Sequence, residues 1–206
     1  MDIQQILIKY WGYSGFRPMQ EDIIRSVLAG QDTLALMPTG GGKSICFQVP
    51  ALAKEGICIV ISPLIALMKD QVDRLKTLGI NAFAIYSGMH QTEIELALNN
   101  ATLGNAKFLY ISPERLATPN FREVLRYMKV NLIAVDEAHC ISQWGYDFRP
   151  PYLKIAEIRH IIPDAPVLAL TASATPVVVD DIQEKLGFST PNLIRQSFER
   201  KNLAYI

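Results

Sequence analysis

The sequence predicts an α/β domain of three layers, a mostly parallel central sheet flanked by helices. Short β-branched runs alternate with helix-length amphipathic stretches from end to end, the order that gives parallel strands joined by helical crossovers. The strand candidates are apolar throughout rather than alternating, as expected of strands covered on both faces. No repeat, low-complexity tract or linker breaks the pattern, so residues 1–206 are read as one domain.

Taken in order, helix Gln20–Ala29 ends at Gly30 and leads to strand Thr33–Met37, which breaks at Pro38-Thr39-Gly40. Helix Lys43–Ala53 follows the glycines, and strand Ile57–Ile61 stops at Ser62-Pro63. Helix Leu64–Leu78 ends at Gly79 before strand Ala82–Ile85. Helix Gln91–Asn99 precedes strand Phe108–Ile111, which stops at Ser112-Pro113. Helix Asn120–Tyr127, strand Leu132–Val135, helix Tyr152–Ile161, strand Val167–Leu170 and helix Val177–Leu186 complete the alternation. Glycine and proline mark these boundaries because one frees the backbone and the other lacks the N–H that a continuing element needs.

Lys and Arg together number 20, as do Asp and Glu. A module that grips duplex DNA through charge shows a basic excess, so any DNA contact has to come from a local patch. Cys46, Cys58 and Cys140 stand far apart with no C-x-x-C spacing and read as small buried hydrophobes in a reducing compartment. A zinc site built on His139 and Cys140 would need two further ligands that no spacing supplies. The N-terminus has no basic stretch leading into an apolar one, and the longest apolar runs are strand-sized. Neither a signal peptide nor a membrane span is expected. The expected location is cytoplasmic, at the nucleoid in a bacterium, or nuclear in a eukaryote.

In such a sheet ligands sit at the carboxyl ends of the strands, and those ends carry hydroxyls, glycines and carboxylates: Pro38-Thr39-Gly40, Ser62-Pro63, Ser112-Pro113, Asp136-Glu137 and Thr171-Ala172-Ser173. Met37-Pro38-Thr39-Gly40-Gly41-Gly42-Lys43-Ser44 lies between a strand and a helix. Three glycines remove the Cβ atoms that would keep backbone N–H groups from wrapping a phosphate, and the helix N-terminus adds its partial positive charge. Lys43 then reaches the β- and γ-phosphates of a nucleotide and Ser44 ligates Mg²⁺. The strict pattern wants glycine where this chain has Met37; the plainer alternative is a glycine-rich turn with a surface lysine. Asp136 follows an apolar strand, where a carboxylate needs a nearby cation, and Mg²⁺ held with Ser44 supplies one. Its neighbour Glu137 points elsewhere and suits orienting and deprotonating a water for attack on the γ-phosphate. That pair favours hydrolysis over transfer.

With these residues placed, the motif set resembles a superfamily 2 helicase of the RecQ family over essentially the whole chain, as that family's first RecA-like motor domain. Met37–Ser44 resembles motif I, whose usual form lacks the first glycine, and Asp136–His139 resembles motif II. Ser62–Gln71 and Tyr110–Leu116 resemble motifs Ia and Ib, and Thr171–Thr175 resembles motif III, with Ser173 where threonine is commoner. Gly12–Gln20 resembles the motif that holds adenine, within an N-terminal segment 1–30. By that likeness Tyr13 and Arg17 sandwich the base and Gln20 reads its N6 and N7 edge; otherwise Tyr13 is a core residue beside a helix cap. Ala138–Pro150 resembles the aromatic-rich loop that couples DNA binding to hydrolysis, which implicates Trp144, Phe148 and Arg149 together with His139 and Ser173. In physical terms the loop sets Trp144, Tyr146 and Phe148 beside an arginine, as unpaired bases need; the alternative is that these aromatics plug the core.

The resemblance implies an ATP- and Mg²⁺-dependent 3′–5′ DNA helicase acting on single-stranded and forked DNA in recombination and repair. It also implies a second RecA-like domain with an arginine finger, a zinc-binding module and a winged helix, none of which is found in this sequence. Residues 197–206 resemble the passage to that second domain, with Lys201 where proline is usual, so a fragment of a longer protein is expected. Two readings compete. An ATP-dependent clamp without turnover has no need of Glu137, and an RNA helicase of the DEAH kind is disfavoured by the segments around Tyr13 and Trp144.

Overall fold

The computed structural model describes residues 2–195; the segment resembling the passage to a second domain lies outside them. A seven-stranded, wholly parallel sheet runs in the order β3-β4-β2-β5-β6-β1-β7. Its strands are β1 (Thr33–Leu36), β2 (Ile57–Ile61), β3 (Ala82–Ile85), β4 (Phe108–Ile111), β5 (Val130–Val135), β6 (Val167–Thr171) and β7 (Leu193–Arg195). The helices are α1 (Ile3–Trp11), α2 (Gln20–Leu28), α3 (Lys43–Ala53), α4 (Ile65–Thr77), α5 (Gln91–Thr102), α6 (Pro119–Leu125), α7 (Ile155–Arg159) and α8 (Pro176–Lys185). The predicted three-layer α/β class is the one observed.

Successive strand residues point to opposite faces, and both faces are apolar. Ile59, Ile61, Ile133, Val135 and Ala169 pack under α5, α6, α7 and α8. Cys58, Val60, Leu132, Ala134 and Leu168 pack under α2, α3 and α4. A third cluster joins Ile3, Ile6 and Leu7 of α1 to Ile24, Ile45 and Val49. All three cysteines are free and buried, as expected. Among the described residues no helix is long and apolar enough to cross a membrane.

Two elements were not foreseen, α1 and β7. The first buries only three side chains and the second is three residues long, too little periodicity to read. The predicted helix Tyr152–Ile161 is broken in two: a 3-10 turn over Pro150–Lys154, then α7. Pro150 and Pro151 carry no N–H and resist a regular α-helical start beyond its first turn.

What matters for the site is the middle of the sheet. The adjacent strands β2, β5, β6 and β1 end side by side, with Ile61 opposite Val135, Val135 opposite Ala169, and Leu36 opposite Thr171. The segments that leave their carboxyl ends, at Ser62, Asp136, Ala172 and Met37, therefore converge.

Candidate nucleotide and metal site

The glycine loop is shaped by contacts that exclude side chains. Gly40 and Gly42 hold positive φ, 76° and 80°, which L-residues other than glycine rarely adopt. A Cβ on Gly41 would stand 2.8 Å from the Pro38 carbonyl oxygen, and one on Gly42 would collide with Gln20 Nε2. The segment before α2 grips this loop. Gln20 Nε2 donates to the Gly42 carbonyl at 3.1 Å, Gln20 Oε1 accepts from the Arg17 N–H at 2.8 Å, and Arg17 Nη1 donates to the Gly40 carbonyl at 2.7 Å. Gln20 is only 3% exposed; its Nε2 also stands 3.5 Å from the Gly41 carbonyl, so both amide hydrogens face the loop and the oxygen keeps one lone pair.

A cavity of about 680 Å³ opens beside the loop, lined by Tyr13, Arg17, Gln20, Thr39, Gly40, Gly42, Lys43, Ser44, Asp136 and Glu137. Of the residues the sequence assigned to nucleotide and metal, only Gly41 is absent from the wall, its place being structural. Tyr13 is 47% exposed at the rim, so the reading of it as a core residue is excluded.

Lys43 Nζ lies 3.7 Å from Glu137 Oε1. Glu137 has φ 48° and ψ 47°, a left-handed conformation that costs a side-chain-bearing residue roughly 1–2 kcal/mol and clusters at working sites. Asp136 Oδ2 accepts from Ser62 Oγ at 3.4 Å and Oδ1 from the Glu137 N–H at 3.0 Å. Burial, reinforced by the charge of Glu137, holds the Asp136 carboxyl above the usual carboxylate range despite the opposing pull of Lys43. Such a group is short of positive charge. With the Ser44 hydroxyl on the same cavity wall it forms a hard-oxygen donor set suited to Mg²⁺.

Sequence reasoning missed the support behind Ser44. Gln71 Nε2 donates to Ser44 Oγ at 2.8 Å, and Gln48 Nε2 donates to Gln71 Oε1 at 3.0 Å and to the Tyr110 hydroxyl at 3.4 Å. This chain from α4 through α3 to β4 leaves Ser44 its own proton and one lone pair. Single glutamines on two separate helices look like surface residues in a sequence; the available signal was Gln48 standing inside the apolar run of α3.

The segment after Glu137 turns through a 3-10 helix, Ala138–Ile141, and carries the aromatic loop past the acid pair. His139 Nδ1 lies 2.9 Å from Thr171 Oγ1 and 3.3 Å from Glu137 Oε2, and its ring stacks on Tyr146 with centroids 4.6 Å apart. Burial holds the His139 imidazole below the usual histidine range, against the pull of Glu137. Trp144 and Tyr146 are 74% and 78% exposed, which excludes the core-plug reading for both. Phe148 is half-buried with Lys185 Nζ 6.0 Å from its ring centroid, and Arg149 pairs with Asp147 at 3.0 Å. Ser173 is exposed, and it joins the network through its carbonyl, which accepts from Thr171 Oγ1 at 3.2 Å.

Comparison with known proteins agrees with this geometry. A family profile described as DEAD/DEAH box helicase matches residues 17–182. The chain is 51% identical over 204 residues to the ATP-dependent DNA helicase RecQ of Bacillus subtilis, covering 98% of this chain and 34% of that protein. It is 45% identical over 200 residues to the protein of the same name from Pasteurella multocida, covering 97% and 32%. The chain thus spans about a third of the length of these curated relatives. A crystal structure of the DUF1998 helicase MrfA bound to DNA superposes with a TM-score of 0.73 at 15% identity, over 95% of this chain and 27% of that one, a likeness of fold. The chain belongs to the DEAD/DEAH box helicase family.

Proposed function

We propose that the chain is the first RecA-like motor domain of a RecQ-type ATP-dependent DNA helicase. It binds ATP with Mg²⁺, hydrolyses it under the control of single-stranded DNA at the aromatic loop, and serves 3′–5′ unwinding in recombination and repair. The observation that carries the reading is the meeting of Lys43, Ser44, Asp136 and Glu137 on one cavity wall, framed by Tyr13, Arg17 and Gln20. The identity to proteins named ATP-dependent DNA helicase RecQ supports the DNA helicase reading, and the polarity and biological role are taken from the family resemblance.

Lys43, now beside Glu137, exchanges that carboxylate for the γ-phosphate. This frees Glu137 to accept the proton of an attacking water. Mg²⁺, when held there, would supply positive charge against that of the nucleotide phosphates. Asp136, oriented by Ser62 Oγ and the Glu137 N–H, and Ser44, oriented by Gln71, are the residues that hold it. Gln20 keeps one lone pair for the N6 amino group of adenine, and by releasing its long contact to the Gly41 carbonyl it can donate to N7; guanine presents two acceptors there. Trp144 offers its face to an unpaired base. The His139 ring, between Tyr146 and Glu137, relays loop position to the hydrolytic acid. An arginine from a facing second domain is worth roughly 10³–10⁵ in rate in related NTPases. We assign that domain, with zinc-binding and winged-helix modules, to the two thirds of the relatives' length that this chain does not cover. The test is ATP turnover by the full-length protein with single-stranded DNA, single-stranded RNA or neither. Strong stimulation by DNA is expected, and equal stimulation by RNA, or none by either, overturns the proposal.

A further inference from the structure

Beneath the aromatic loop a buried imidazole, a buried thiol and a loop carboxylate meet, and their protons do not balance. The Thr171 hydroxyl donates to the Ser173 carbonyl at 3.2 Å. Toward His139 Nδ1, 2.9 Å away, that hydroxyl therefore acts as acceptor, and Nδ1 carries the proton. Glu137 Oε2 at 3.3 Å from the same nitrogen requires the same tautomer. The bare Nε2 consequently faces Cys140 Sγ at 3.8 Å, while the same thiol reaches Asp147 Oδ2 at 3.6 Å. One thiol proton cannot serve both acceptors. Asp147 has Arg149 as a second donor; when the thiol turns to Asp147, the nitrogen of a histidine only 4% exposed is left without one.

We infer that His139 Nε2, Cys140 Sγ and Asp147 form a binding site for a thiophilic divalent cation of the zinc class. Candidate ligand atoms of the three residues all lie within 4.8 Å of one another. Zinc bonds of about 2.3 Å to sulfur and about 2.0–2.2 Å to nitrogen and oxygen give ligand–ligand edges of about 3.5 Å in a tetrahedron. The observed edges from the sulfur are 3.8 and 3.6 Å. A thiolate with an imidazole selects zinc over magnesium, and three protein ligands leave a fourth position for water. The far side is built as metal-bound imidazoles require, since Nδ1–H meets a hydroxyl and a carboxylate. Binding forms the metal–sulfur bond and expels the thiol proton to solvent. Once bound, the cation pins the aromatic loop through Asp147 to the segment that carries Glu137. No spacing in the sequence supplies His139 and Cys140 with a further ligand; Asp147, seven residues beyond Cys140, is brought back by the turn of the loop.

Cobalt(II) titration of the 206-residue chain, without nucleotide or DNA, tests the site apart from any ATPase reading. The expected result is one cobalt per chain with a thiolate-to-cobalt charge-transfer band. Cys140→Ser should lose the band although Cys46 and Cys58 remain. Asp147→Asn, at a half-exposed loop position that puts no burden on folding, should keep the band and bind at least about tenfold more weakly. No band in the wild type, a band that survives Cys140→Ser, or unchanged affinity in Asp147→Asn would each overturn the inference.

Discussion

Replacing Gln71 by leucine removes the hydrogen bond to Ser44 Oγ while keeping about the same volume. A neutral hydrogen bond contributes a net 0.5–1.5 kcal/mol or so. If that energy orients the serine for the metal, affinity for Mg²⁺·ATP should fall by about twofold to tenfold. Affinity for ATP in chelator should not change, because Gln71 is bonded to the metal-side hydroxyl rather than to the glycine loop. The substitution also takes the acceptor from buried Gln48, which keeps only the longer contact to Tyr110 at 3.4 Å. A buried donor that loses a partner costs about 1–3 kcal/mol. The surviving contact places the cost near the lower end, a melting point roughly 2–4 °C lower for a domain of this size. The assay is binding of a fluorescent ATP analogue across a Mg²⁺ titration, beside a thermal melt. A Mg²⁺ dependence superimposable on wild type would refute the reasoning, as would an equal loss with and without the metal.

Lys43→Ala should abolish turnover in the full-length protein without lowering the melting point, since among the described residues the ammonium pairs only with Glu137, at 3.7 Å; normal hydrolysis would remove the residue from the site. Glu137→Gln should keep Mg²⁺·ATP affinity and lose turnover because glutamine cannot take the water's proton; parallel loss of binding would contradict that role. Asp136→Asn should melt higher than wild type at pH 7 in chelator. The folded state holds the Asp136 proton more tightly than the unfolded chain does, so stability is lost as pH rises through that interval, and the variant's advantage should shrink as pH falls toward about 4. An equal or lower melting point at pH 7 would sink it. Trp144→Ala, at a residue 74% exposed, should melt within a degree or two of wild type yet lose most DNA stimulation of ATPase; retained stimulation would show the indole to be idle.

Much of the fold was legible because the central strands are fully buried, and burial on both faces leaves unbroken apolar runs such as Ile57–Ile61 and Phe108–Ile111. Their carboxyl-end residues were legible for the same reason: polar groups at the tips of apolar strands stand out. Strand order was not. That Asp136 neighbours both Ser62 and the end of β6 follows from β5 lying between β2 and β6, and nothing local encodes which strands pair. Element ends also drifted where helix and turn compete, as at Pro150 and Pro151.

Within the site, the residues that would touch ligand were readable and those that orient them were not. Lys43, Ser44, Asp136 and Glu137 have chemistry that is unusual where they stand. Gln48, Gln71, Thr171 and Ser62 act through hydrogen bonds between residues 23 to 74 positions apart, so their roles exist only after the sheet has formed. The protonation of His139 shows the limit most clearly. It is decided by where the Thr171 proton goes, and that by the Ser173 carbonyl two residues on. A pair of residues from β6 and the turn after it therefore sets whether the histidine nitrogen that faces Cys140 carries a proton. Motif II and motif III are joined in this chain by a proton position, and a substitution at Thr171 should disturb Glu137 and the aromatic loop together although, among the described residues, its side-chain hydrogen bonds reach His139 and Ser173 alone.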